Sequence, residues 1–231
     1  MNSLSTVKQA FKVPEMRIKL IFTLLMLIIF RIGSNIPVPG IEADRLAEMF
    51  NGETGLFDLF DLFSGGSFSN FTIFALSITP YVTASIIVQL LTTVFPYLQN
   101  LAKEGQAGRK KMAAITRYTT VGLALLQAIG LTIRLFNQAV VDKSAFSIIS
   151  IVIILTAGTA FLMWLGERIN DRGIGNGISI LIFGGIVARI PTDIRAIWTK
   201  YSDGSMSIIS ILIFVIFAIA VVVGIIMVQQ G

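Results

Sequence analysis

The sequence predicts an all-α membrane protein, a polytopic bundle of transmembrane helices whose second span is broken. Three observations predict it. Of the 231 residues, 55% are hydrophobic and only 13% charged, with a mean hydropathy of +0.83, a balance far from that of soluble domains. No charge occurs between Asp61 and Lys103, a gap of 41 residues, about twice the roughly 20 that one crossing needs. Within that region Gly65-Gly66 interrupts the pattern, and each glycine costs about 1 kcal/mol relative to alanine inside a helix.

Residues 1–19 read as a basic tail with Lys8, Lys12, Arg17 and Lys19. The first crossing follows, Leu20 to about Asn35, stopped by Pro37 and Pro39. Only 11 residues separate Lys19 from Arg31, so Arg31 is expected to snorkel toward the far interface. Residues 40–55 carry Glu42, Asp44, Glu48 and Glu53 and read as an exposed loop. Leu56 to Phe63 is then a short helix, about 12 Å long at ~1.5 Å per residue, too short to span. Asp58 and Asp61 share one of its faces. Two readings stand side by side: an amphipathic helix on the membrane surface, or a movable stopper folded into a cavity between helices. The crossing beyond the break is expected at Phe71 to Thr93.

Residues 97–117 form an expected basic loop, with Lys103, Arg109, Lys110, Lys111 and Arg117 against Glu104. The third crossing falls between Arg117 and Arg134, and the fourth from Ser144 to Gly166, with Trp164 near its interfacial end. Glu167 to Gly175 reads as a tight polar turn. Asn176 caps the fifth crossing, which runs to about Ala188. Residues 189–205 are polar, and the sixth crossing is Met206 to Val228. With the N-terminus placed in the cytoplasm, 11 of the 18 Lys and Arg residues fall on that side, as the positive-inside rule favours.

The chain has no cysteine and no histidine. That excludes thiol redox chemistry, Cys/His metal sites and Ser-His or Cys-His nucleophiles within it. Neither a cofactor nor enzymatic activity is expected. Gly173-Ile174-Gly175-Asn176-Gly177 superficially matches a dinucleotide fingerprint, but it follows a membrane helix rather than a strand and reads as a sharp turn with a helix start. The basic stretch 97–117 reads first as a topological signal, and second as a surface for anionic lipid, nucleic acid or a protein. Ile78, Val82, Ser85 and Gln89 fall on one helical face, apolar at one end and polar at the other. That stripe reads either as ordinary helix packing or as a hydrophobic constriction above a wet funnel. No acidic or basic residue sits at mid-depth in any crossing, so a proton-coupled relay is not indicated.

Several segments resemble the bacterial SecY family, the pore subunits of the general protein-secretion channel. They are Phe63-Ser64-Gly65-Gly66 with Ile73-Phe74-Ala75-Leu76 and Pro80-Tyr81 to Gln89-Leu90-Leu91; Lys103-Glu104-Gly105, Gly108-Arg109 and Thr116-Arg117-Tyr118; and Phe161 to Glu167 followed by Arg172 to Ser179. The resemblance covers essentially the whole chain. It implies ten crossings in two inverted halves, of which this chain holds the N-terminal part: a cytoplasmic tail at 1–19, a half-channel at 20–205 with crossings one to five, and crossing six at 206–231. It implies a plug at 56–70 that includes Leu56, Phe57, Asp58, Phe60, Asp61, Phe63, Ser64, Gly65 and Gly66. It implies a pore ring at Ile78, Val82, Ile178 and Ile182, and a lateral gate that includes Thr83, Ser85, Gln89, Arg117, Thr120 and Gln127. The implied location is the inner membrane of a bacterium. The implied partners are SecE and a SecG-type subunit, the SecA motor or the ribosome, signal peptides and nascent chains, and membrane lipid, with a ribosomal RNA contact through 97–117. The alternative from the residues alone is a small-solute transporter with its site at the broken helix.

Overall fold

The computed structural model describes residues 13–42, 61–62, 64–135, 139–140, 142–204 and 207–230. Its helices, in chain order, are α1 Pro14–Gly33, α2 Thr79–Val94, α3 Pro96–Lys103, α4 Gly105–Gly130, α5 Ala145–Arg172, α6 Gly177–Ser202 and α7 Ile208–Gln230. α4 runs on into a π-helical turn, Leu131–Leu135. Among the described residues there are no strands, only two isolated bridges, Pro37 to Thr72 and Ile41 to Val140. The expected all-helical bundle is what forms.

Local chemistry sets the helix starts. Pro14 opens α1, where its missing N–H is not needed, and Glu15 sits in the positive first turn. Ser144 caps α5, its hydroxyl accepting from the Ser147 amide. Asn176 caps α6 as expected: its Oδ1 accepts from the amides of Ile178 at 3.0 Å and Ser179 at 3.3 Å.

Three expectations about boundaries are corrected. Residues 71–78 are not the start of the second span but irregular buried turns, with Phe71 at φ 42° and Ser77 at φ 54°; helix begins only at Thr79. The basic stretch 97–117 is not a loop: it is α3 and the first half of α4, divided at Gly105, whose φ of +65° favours glycine. Helix also continues through Glu167–Arg172 and through 189–202, past Pro191. The physical reason is common to the last two. Charge marks where apolar solvent ends, not where helical hydrogen bonding must end.

Four helices among the described residues are long and apolar enough to cross a membrane: α4 with its extension, α5, α6 and α7. α2 and α3 make a fifth if the pair, bent by 101°, counts as one. The first expected span, α1, is the one left over: it carries Glu15, Arg17, Lys19 and Arg31 within its 20 residues, and is apolar only between Lys19 and Arg31. α2 alone has 16 residues, about 24 Å against a ~30 Å core.

The chain divides into two units, Met1–Val187 and Ala188–Gly231. In the first, one core cluster joins Phe71, Ala75 and Leu76 to Ala124 and Ala128 of α4 and Ile151 and Leu155 of α5. A second joins Phe74 and Ile78 to Met26 and Phe30 of α1, Leu162, Leu165 and Ile169 of α5, and Leu181 of α6. Both clusters are built around the irregular segment. In the second unit, the described side chains of α7 are exposed and almost wholly apolar, as suits a helix facing lipid or further helices.

Candidate functional site

The break is a hydrogen-bonded knot. Asp61, 6% exposed, accepts the Ser69 amide at 2.8 Å on its carboxylate and the Gly66 amide at 3.0 Å on its carbonyl. Ser64 donates to the Asp61 carbonyl and accepts from the Phe68 amide, each at 3.0 Å. Gly65 and Gly66 hold φ of +68° and +88°, in the left-handed region. A β-carbon on Gly65 would come within 2.8 Å of the Gly185 Cα, so the knot packs backbone to backbone on α6. Asp61 therefore belongs to the interior, as the stopper reading requires and a helix lying on the membrane surface does not. Of the expected plug residues, Asp61, Ser64, Gly65 and Gly66 are described here; Leu56, Phe57, Asp58, Phe60 and Phe63 lie outside the described residues.

Arg31, expected to snorkel, is exposed, and its Nη1 donates to the Gly65 carbonyl at 3.1 Å, which satisfies a polar group that irregular backbone would otherwise leave bare. The next stretch is satisfied by chain 36–38: the Val38 amide donates to the Phe71 carbonyl, and the Ile73 amide to the Ile36 carbonyl, both at 3.0 Å. Phe74 stacks between Phe30 and Phe161, each ring 6.0 Å away. Gly33 and Gly158 have no side chain because Phe74 and the Ile73 carbonyl occupy that space.

Directly after this segment come the expected ring residues. Ile78 is 4% exposed and stands just ahead of α2. The Val82 amide donates to its carbonyl at 3.1 Å, which keeps the two one turn apart. Val82, Ile178 and Ile182 are half-buried in the same cluster as Ile78. A small void of ≈ 10 Å³ is lined by Phe30, Ser77, Ile78, Leu162, Leu181 and Ile182. Gly166 of α5 makes room for Ile178. The four side chains expected to meet are thus drawn into one apolar cluster, with Phe30, Leu162 and Leu181 as members that the sequence reading did not name.

The expected gate residues lie on α2 and α4, which pack against each other. Thr83 and Ser85 are half-buried and Gln89 is exposed. Thr120 is buried and donates to the Thr116 carbonyl at 2.7 Å. Gln127 lines a cavity of ≈ 380 Å³ with Phe68, Ala75, Leu76, Thr79, Gly130 and Leu131. Arg117 pairs with Glu167 of α5, Nε to Oε1 at 2.7 Å. Glu167 and Arg31 were missed as partners because each contact spans a long sequence separation with no local signature.

A family model described as SecY matches residues 72–231. The chain belongs to the SecY family. Among curated relatives, the protein translocase subunit SecY of Bacillus subtilis (strain 168) is 46% identical over 236 aligned positions, covering 98% of this chain and 54% of the relative. That of Vibrio cholerae (serotype O1) is 45% identical over 222 positions, covering 94% of this chain and 50% of the relative. This SecY chain spans about half the length of the curated relatives it matches. Two solved structures share its fold with a TM-score of 0.65 at 20% identity, each covering 90% of this chain: Sec61 in the canine ribosome–channel complex from the endoplasmic reticulum, and a protein-conducting channel, matched over 47% and 46% of their chains.

Proposed function

We propose that this chain forms the N-terminal half of a protein-conducting channel subunit in a bacterial inner membrane, with its N-terminus in the cytoplasm. The observation that carries the reading, beside family membership, is the buried irregular segment 64–78 seated against α1, α5 and α6. It places a glycine-jointed knot immediately before a cluster of branched apolar side chains. Such a cluster excludes water and ions, yet yields to a passing peptide because no strong bond must break. In this reading Ile78, Val82, Ile178 and Ile182 form part of the ring, residues 56–70 are the plug, and α2 with α4 forms one wall of a lateral gate for signal peptides. SecE, a SecG-type subunit and SecA or a ribosome supply the clamp and the driving force. Arg109 and Lys110, exposed on α4, present positive charge to anionic head groups or ribosomal RNA.

Membership of the SecY family does not support the small-solute transporter. The direct test is a photocrosslinker at Gln89 in the complete protein, with Ile153, exposed on α5, as the control. A stalled secretory chain should crosslink through Gln89 and not through Ile153. Equal yields at the two positions would contradict the gate.

A further inference from the structure

The knot formed by Asp61 and residues 64–70 is stitched to itself. Its internal bonds run from Asp61 and Ser64 to the amides of Gly66, Phe68 and Ser69, and they fix it as one piece. Beside the burial of Phe68 in the first core cluster, Gly65 joins that piece to its neighbours by backbone contact with Gly185 and by the Arg31 hydrogen bond at 3.1 Å. Arg31 sits in the last turn of α1, where a cation ordinarily serves its own helix's carbonyls. Here it reaches a carbonyl 34 residues away. The left-handed conformation of Gly65 and its seat on Gly185 fix that carbonyl's position, which lets a guanidinium meet it.

We infer that Arg31 is a positioning residue that latches the knot to the bundle, so that displacement of the stopper begins with loss of the Arg31–Gly65 bond. This rests on the channel reading above. A hydrogen bond from a charged donor, once lost, should raise the displaced fraction about tenfold. The bond's location predicts that Arg31 acts only through the stopper.

The test uses the complete protein reconstituted with its partner subunits in vesicles, and reads resting ion conductance. The variants are Arg31→Met, Arg31→Lys, deletion of residues 57–65, and Arg31→Met combined with the deletion. Arg31→Met should leak, Arg31→Lys should leak less because it keeps a donor, and Arg31→Met should add nothing once the segment is deleted. A leaking deletion beside a tight Arg31→Met overturns the latch and leaves the stopper standing. A deletion that does not leak overturns the stopper, and the latch with it. If Arg31→Met fails to assemble, Gly65→Ala breaks the same joint from the other side, since alanine is strained at φ +68° and meets the Gly185 Cα at 2.8 Å. A folded Gly65→Ala protein that stays tight would also overturn the latch.

Discussion

Replacing Gly158 by alanine should destabilise the bundle, although helix propensity alone argues the opposite. Gly158 is buried on α5, and a β-carbon there would overlap the carbonyl oxygen of Ile73, with the Ile73 carbonyl carbon at 2.9 Å and Phe74 Cδ1 at 3.4 Å. Propensity favours alanine by about 1 kcal/mol. Overpacking costs ~1–3 kcal/mol. The upper figure applies, because the obstacle is backbone anchored just before it by the Val38–Phe71 and Ile73–Ile36 bonds, not a side chain free to turn. The net expectation is a loss of about 2 kcal/mol. Gly122 of α4 is the matched control: nothing lies within 4 Å of its missing β-carbon, so Gly122→Ala should gain up to about 1 kcal/mol. Denaturant unfolding of the purified protein in micelles, followed by helix signal, measures both. If Gly158→Ala unfolds at the same point as Gly122→Ala, the close seating of segment 71–78 on α5 is wrong.

Two further predictions address charge. A cysteine replacing the exposed Lys110 should react only with a cytoplasmic reagent, and one replacing the exposed Asp193 only with an external reagent; the reverse labelling would invert the topology. Gly108, in the same basic stretch, is a poor reporter because it packs on the Leu101 carbonyl. A double-mutant cycle of Arg117→Met and Glu167→Gln should give a coupling of only about 0.2–1 kcal/mol, since the Arg117 side chain is 52% exposed despite the 2.7 Å contact. A coupling of several kcal/mol would mean that the pair is shielded from solvent.

The legible parts of this fold were those with local signatures. Asn176 announced a helix start by its residue type and position, and Gly65-Gly66 announced the break. The spacing of Ile78 with Val82 survived even though Ile78 stands just outside the helix. What was not legible depended on distant partners. Phe71 and Ser77 adopt positive φ, which neither residue type suggests; the conformation is imposed by pairing with 36–38 and by packing on α5. The apolar content of 71–78 satisfied a helical reading just as well. Helix ends were placed at the first charges, yet α4, α5 and α6 run on as polar helix. The burial of Asp61 was not legible, because its carboxylate and carbonyl accept the amides of Ser69 and Gly66, which come within reach only once the chain has turned.

The central claim is that Ile78 and Ile182 stand at a channel's waist rather than merely in a core. Resting ion conductance of the complete, reconstituted protein tests it most directly, comparing Ile78→Asn and Ile182→Asn with Ile153→Asn. Ile153 is 59% exposed on α5 and outside the cluster. A polar side chain at the waist should wet it and weaken the closed state. Conductance should then rise in both ring variants and stay at the parent level in the control, and substrates with defective signal sequences should pass more readily. Ring variants that lose stability but conduct no more than Ile153→Asn would contradict the account and return these isoleucines to ordinary packing.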